Sequence, residues 1–253
     1  MGGTRTGHGG KDGHGGLGNV LSGLAVAVGF ALFLGGFGWG ALLYRPYLVP
    51  TDSMTPTVRP GDRVLAQRID GAEVRRGDVV VFTDAQWSGT PLLKRVVGVG
   101  GDTVACCGAD GRLTVNGKAL DEPYLDGTPS GGVPAAPGTS FEVTVPPDTL
   151  FLLGDRRAAS LDSRAHLRET GQGTVPRSAV HARVDALVWP SMTMLERPRS
   201  HAALPGGLSR PGPLLLQATA AAAGAALVVL GAAYGPFVRV LARGRRRERA
   251  GAR

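Results

Sequence analysis

Histidine and lysine are scarce in this chain. Its 253 residues hold five histidines (His8, His14, His166, His181 and His201) and three lysines (Lys11, Lys94 and Lys118), against 25 arginines. Cysteine is nearly absent: Cys106 and Cys107 are the only two, they are adjacent, and neither has a metal-ligating partner at useful spacing. A disulfide scaffold and a structural zinc site are thereby excluded. Consecutive Cα atoms lie ~3.8 Å apart, short of the ~4.4–6.8 Å that disulfides prefer, so two thiols in or near the sheet are expected, with a strained disulfide between neighbours as the alternative. No G-x-S-x-G elbow occurs. No internal repeat is visible either.

Charge is missing from two stretches, 13–44 and 211–238. Within the first, Val20 to Leu43 is apolar apart from Ser22 and glycines, and at ~1.5 Å per residue it spans a ~30 Å hydrocarbon core. A cleaved leader has a shorter apolar region, ~7–15 residues, and no clean Ala-x-Ala site follows. The second stretch opens with Pro-Gly-Pro and runs apolar from Leu214 to Tyr234; its length reads as a second span, its alanine content as a buried helix. The formal charge of +8 sits in the tails. Outside residues 45 to 212, nine Lys and Arg face only Asp12 and Glu248, while inside that range nineteen basic residues meet eighteen acidic ones. A nucleic-acid-binding middle is therefore not expected. Arg239, Arg243, Arg245, Arg246, Arg247, Arg249 and Arg253 after the second run, with Arg5 and Lys11 before the first, place both termini in the cytoplasm and the middle segment outside. Small residues such as Gly36, Gly40 and Ala220 through Ala226 predict close packing of the two helices.

The middle segment reads as strands over Arg63 to Ile69, Asp78 to Phe82, Leu92 to Val99, Thr103 to Cys106, Phe141 to Val145, Thr149 to Leu153 and Ala182 to Trp189. Asn116-Gly117 predicts a two-residue hairpin turn. The fold class is mainly β, a twisted antiparallel sheet, with a Gly/Pro/Ser loop at 127–140 and a Pro/Gly linker from Pro198.

The stretch V-P-T-D-S-M-T-P-T-V raises the question of what would activate Ser53. A serine nucleophile needs a base, usually histidine. His8 and His14 lie in the tail and His201 in the linker; His166 remains, and a lone histidine in a polar loop is more often simply solvated. Arginine stays protonated, whereas buried lysine can lose its proton. Lys118 follows the hairpin turn and reads as solvent-facing. Lys94 lies in P-L-L-K-R-V-V-G-V, where both alternating faces are apolar, so Lys94 or Arg95 points inward. Left unperturbed at ~10.4, that amine is neutral less than ~0.1% of the time at pH 7, and an apolar pocket lowers it.

Four blocks in order carry a resemblance. They are Ser53-Met54-Thr55-Pro56-Thr57; Arg76-Gly77-Asp78 with Val79-Val80-Val81-Phe82; Leu93-Lys94-Arg95 through Gly101-Asp102; and Gly154-Asp155-Arg156-Arg157-Ala158-Ala159-Ser160-Leu161-Asp162-Ser163-Arg164, with V-N-G-K and E-P-Y-L between them. From about Val49 to Trp189 the chain resembles bacterial type I signal peptidases, and its second apolar run looks like that of actinobacterial members. The resemblance implies a signal peptidase/LexA-like β-fold anchored by two membrane helices, with Ser53 as nucleophile and Lys94 as general base. It makes Ser160 the hydroxyl that orients Lys94 and Thr51 an oxyanion donor. Asp155, Arg157, Asp162 and Arg164, together with Met54, support the site.

The organisation expected is a cytoplasmic tail (1–17), a first membrane helix (18–44), an extracytoplasmic peptidase domain (45–197), a linker (198–212), a second membrane helix (213–238) and a basic cytoplasmic tail (239–253). The substrates implied are secretory preproteins carrying signal peptides, cut after small residues at the plasma membrane. The bilayer and the secretion translocon are the other partners; no cofactor, metal or nucleic acid is expected. Two departures stand out: Arg156 replaces the usual asparagine, and Ala165-His166-Leu167 follows D-S-R in place of an aromatic-Gly pair. A self-cleaving repressor of the LexA kind fits poorly with two membrane runs. The alternative from another class is a membrane-anchored β-domain binding protein in which Ser53 only begins a turn.

Overall fold

A computed structural model describes residues 14–108, 111–125 and 140–251. The chain divides into two compact units, residues 1–42 with 213–253, and residues 43–212.

The first unit is a pair of helices, α1 (His14–Leu43) and α2 (Leu214–Gly251). Their segments Gly18–Leu43 and Leu214–Gly235 are long and apolar enough to cross a membrane. Small residues set the contact between them. A Cβ on Gly36 would stand 2.8 Å from the Gln217 carbonyl, and one on Gly29 2.7 Å from that of Gly224, so the backbones approach as closely as the small-residue stripe predicts. At Gly40 the approach is looser, with Gln217 Oε1 at 3.5 Å from such a Cβ. Ser22 satisfies its hydroxyl by donating to the Gly231 carbonyl at 2.6 Å. Leu24, Phe30, Leu34, Phe37, Leu216 and Leu230 face outward.

The second unit is built from antiparallel sheet. Its strands are β1 (Tyr44–Leu48), β2 (Arg63–Arg68), β3 (Val79–Phe82), β4 (Leu92–Val99), β5 (Thr103–Cys106), β6 (Thr114–Val115), β7 (Lys118–Ala119), β8 (Phe141–Thr144), β9 (Thr149–Leu153), β10 (Val175–Pro176), β11 (Val180–Trp189) and β12 (Thr193–Met194). The large sheet runs β1-β2-β11-β3-β4-β9-β10, with β12 on β11; the small one runs β7-β6-β5-β8. The seven expected strands are present, with ends shifted by at most two residues. β1 was not anticipated, because Pro46 interrupts its pattern; it is tolerated since β1 is an edge strand. The Asn116-Gly117 turn forms between β6 and β7 with both residues at positive φ, 55° and 73°. Lys118 is exposed, as expected.

One corrected expectation concerns the cysteines. Cys106 and Cys107 form a disulfide, not two thiols. The Gly/Pro/Ser loop expected at 127–140 lies, up to residue 139, outside the described residues.

Apolar burial explains the sheet's rigidity. One cluster (Met54, Val58, Val64, Val79, Val81 and Val184 among others) lies beneath the Ser53 loop; another joins Val97, Phe151 and Leu153 to the small sheet through Val104 and Val143. Each such side chain contributes ~1.5–3 kcal/mol when fully buried. Residues 197–212 form a strap laid on this unit. Leu204 joins the second cluster. Arg183 donates to the Arg210 carbonyl at 3.0 Å, Arg76 to that of Pro205, and Ser209 to Asp78. Burial raises the Asp78 carboxyl above its ordinary pKa, against the lowering effect of Ser209 and the nearby arginines. Asp185, fully buried, closes the strap: it accepts from Tyr44 Oη (2.9 Å), Arg197 Nη2 (2.6 Å) and the Gly212 N–H (3.1 Å). Residue 212 has to be glycine, since a Cβ there would overlap Tyr44, Gln67 and Asp185.

Candidate active site

Ser53 sits on a tight turn whose shape follows from its neighbours. Thr55 N–H donates to the Asp52 carbonyl and Val58 N–H to that of Met54, each at 3.0 Å. Met54, 1% exposed, plugs the apolar cluster below, so the turn is pinned by burial, and Ser53 beside it is itself only 9% exposed. Thr51 Oγ1 lies 3.3 Å from Ser53 Oγ.

Lys94 is on β4, a central strand between β3 and β9, and is 4% exposed. Burial is the largest influence on it and lowers its pKa from 10.5 to about 8; Asp162 and Asp155 oppose the change and Arg164 assists it. Holding the amine there corresponds to about 3 kcal/mol, and leaves roughly one molecule in ten with a neutral Lys94 at pH 7. Among the described residues no hydrogen bond joins Lys94 to Ser53, whose hydroxyl contacts Thr51 instead. Such contacts often tighten only when substrate binds.

Gly154 brings the remaining parts together. In the antiparallel ladder Arg95 pairs with Leu153, so the next residue, Gly154, lies alongside Lys94. A Cβ at 154 would overlap Ser160 Oγ and stand 2.6 Å from the Ser53 carbonyl. The missing side chain is thus the space in which the turn of Ser53 and the loop of Ser160 meet beside Lys94. Among the described residues, the buried Ser160 Oγ has no hydrogen-bond partner.

The four charged residues expected to support the site each hold a different joint. Asp155 accepts from Arg95 Nε (2.8 Å) and Nη2 (2.7 Å) and from Thr57 Oγ1 (2.5 Å), tying β4 to the Ser53 turn. Asp162 accepts from the Gly154 N–H (3.0 Å) and from Arg164 Nε and Nη2 (2.9 Å each). Arg164 also donates to the Arg157 carbonyl at 2.7 Å. Arg157 forms a fork with Glu122 at 2.8 and 2.5 Å and donates to the Gly154 carbonyl at 3.1 Å.

Several partners escaped the sequence reading. Thr57, Glu122 and Tyr124 lay inside the blocks S-M-T-P-T and E-P-Y-L, so a signal existed without a role attached. The Arg95 guanidinium stacks 3.9 Å over the Tyr124 ring, and Tyr124 donates to Glu122 at 2.6 Å. Both Lys94 and Arg95 are buried, where only one inward side chain was expected. His166 is not simply solvated: it stacks on Trp87 at 4.6 Å and pairs with Glu169 at 2.8 Å. His201, placed by sequence in a linker, is fully buried 6.2 Å from the Tyr124 ring, and burial pushes its pKa down to about 4.

A serine on a pinned turn, a buried lysine of lowered pKa and a second buried serine are the parts of a Ser-Lys peptidase. Comparison with known proteins agrees. The model of the family "Signal peptidase, peptidase S26" matches residues 19–189, and the chain belongs to that family. It is 34% identical over 192 residues to signal peptidase I of Mycobacterium tuberculosis, covering 58% of this chain and 65% of that one. It is 35% identical over 162 residues to signal peptidase I of Bacillus caldolyticus, covering 58% of this chain and 81% of that one. The chain thus spans 65% of the mycobacterial relative's length. A solved signal peptidase I from Enterococcus faecalis is 27% identical, with a TM-score of 0.34 over 44% of this chain and 95% of that one. Membership of a peptidase family disfavours the non-catalytic binding module.

Proposed function

We propose that this chain is a membrane-anchored serine endopeptidase that removes signal peptides from secretory preproteins after small residues. The observation that carries the reading is the buried Lys94, its pKa lowered to about 8, on the strand beside which the Ser53 and Ser160 loops meet.

In the proposed mechanism the neutral Lys94 amine takes the Ser53 proton as Oγ attacks the scissile carbonyl. The Ser53 backbone N–H and the Thr51 hydroxyl stabilise the oxyanion, and Ser160 orients Lys94. The protonated lysine then gives its proton to the leaving amine, and an acyl-enzyme remains on Ser53. Water, deprotonated by Lys94, hydrolyses that ester and restores both residues. Asp155, Asp162, Arg157, Arg164 and Met54 hold the loops in register.

The substrate is an apolar helix in lipid followed by a short extended segment that adds as a strand beside the sheet. Two apolar helices and a run of arginines after the second support a plasma-membrane location with both termini cytoplasmic and the β-unit outside. Cleavage of a preprotein in detergent by wild type, Ser53→Ala and Lys94→Arg tests the reading. Both variants should be inactive; full activity in either overturns the mechanism.

A further inference from the structure

Arg156 occupies a junction. Its N–H donates to the Ser53 carbonyl at 3.0 Å, and its own carbonyl accepts from the Ala159 N–H at 3.0 Å, closing the turn that leads into Ser160. Its guanidinium pairs with the carboxylate of Asp52, the residue before Ser53. Asp52 in turn begins the turn around the nucleophile by accepting from Thr55 N–H. Two other charged pairs of this loop, Arg95 with Asp155 and Arg157 with Glu122, are buried, and in a third, Arg164 with Asp162, the carboxylate is buried and the arginine partly exposed. The side chains of Arg156 and Asp52 are 49% and 46% exposed, so this pair stands at the rim in contact with water.

We propose that Asp52 and Arg156 form a positioning clasp that holds the Thr51–Ser53 turn in register with the Ser160 loop, so that the Ser53 hydroxyl can swing from Thr51 to Lys94. The inference rests on the reading of Ser53 and Lys94 as a peptidase dyad. The two residues are matched: a neutral side chain at 156 would leave the Asp52 charge beside the nucleophile without a partner. Because the clasp orients the nucleophile rather than the substrate, it acts on kcat more than on KM. Its exposure limits the effect to about two- to fivefold and makes it sensitive to salt. The backbone bond from residue 156 to Ser53 persists in every variant and keeps the loop folded.

The test is preprotein cleavage, with kcat and KM measured separately, by wild type, Asp52→Asn, Arg156→Asn, their double variant, Arg156→Lys and the exchanged pair Asp52→Arg with Arg156→Asp. Each neutralising single variant should lower kcat about two- to fivefold with KM nearly constant. The double variant should cost no more than either single one. Arg156→Lys and the exchanged pair should each exceed both neutralising single variants and approach the wild-type kcat, and about 0.5 M salt should narrow the gap between wild type and single variants. Additive losses, a change confined to KM, an exchanged pair no better than the singles, or singles equal to wild type overturn the clasp. Ser53→Ala separates the two levels. If it cleaves like wild type, the dyad and the clasp fall together; if it is inactive while the singles match wild type, only the clasp falls.

Discussion

Two polar centres are buried in the same β-unit, and they treat their hydrogen bonds in opposite ways. At Asp185 both carboxylate oxygens are engaged, by Tyr44, Arg197 and Gly212, with Arg183 Nε 3.5 Å away. Around Lys94 the bonds are sparse: among the described residues Ser160 Oγ has no partner, and the Ser53 hydroxyl has one 3.3 Å contact. The centre at Asp185, its carboxylate fully engaged, holds the chain in place, although Arg183 Nε beside it has no hydrogen-bond partner among the described residues. The sparse one is kept in order by its surroundings, through Asp155, Asp162, Arg157 and the missing Cβ of Gly154, and its free valences suit a reaction that makes and breaks bonds there.

The largest effect that would sharpen this contrast is at Lys94. Lys94→Met should abolish preprotein cleavage, by more than about 10³-fold, while the chemical denaturation midpoint rises, because a costly buried amine is replaced by an apolar side chain. In the wild type, activity should climb with pH through about 8, since the amine works in its neutral form and a lowered pKa is crossed from below. Asp185→Ala should do the reverse. Removing one partner of a buried charge cluster costs about 3–5 kcal/mol, measurable by denaturant titration, with kcat of the folded fraction retained. Loss of kcat at constant stability would break the comparison. Gly154→Ala should lower kcat about 10²-fold by forcing Ser160 and Ser53 apart, with a smaller change in KM.

The smallest effect concerns the strap. His201 has a folded pKa of about 4 against 6.5 when free, so between these values the unfolded chain binds a proton that the folded chain refuses. Stability is therefore complete above 6.5 and declines as pH falls toward 4, by about 1 kcal/mol between pH 6 and 5. His201→Phe should flatten that part of the curve.

The sequence made the local features legible. Strand periodicity located β2 to β5, β8, β9 and β11, and four short blocks in order singled out Ser53, Lys94 and Ser160. What it could not display are pairings between distant residues. Nothing near Tyr44 announces Asp185, and nothing near Asp52 announces Arg156, because such partners are chosen by the fold. Composition marks residues 198–212 as a Pro/Gly linker and does not show that Leu204 and His201 in it, with Arg197 before it, dock on the β-unit.

The meeting of Tyr44 and Gly212 on Asp185 has a mechanical meaning. These two residues are the points where the β-unit begins and ends, so one carboxylate turns an open chain into a closed loop. Tension applied between the ends would load Tyr44, Asp185 and Gly212 in shear first, and β4, the strand of Lys94, two places across the sheet from β11, would feel it only after that knot had slipped.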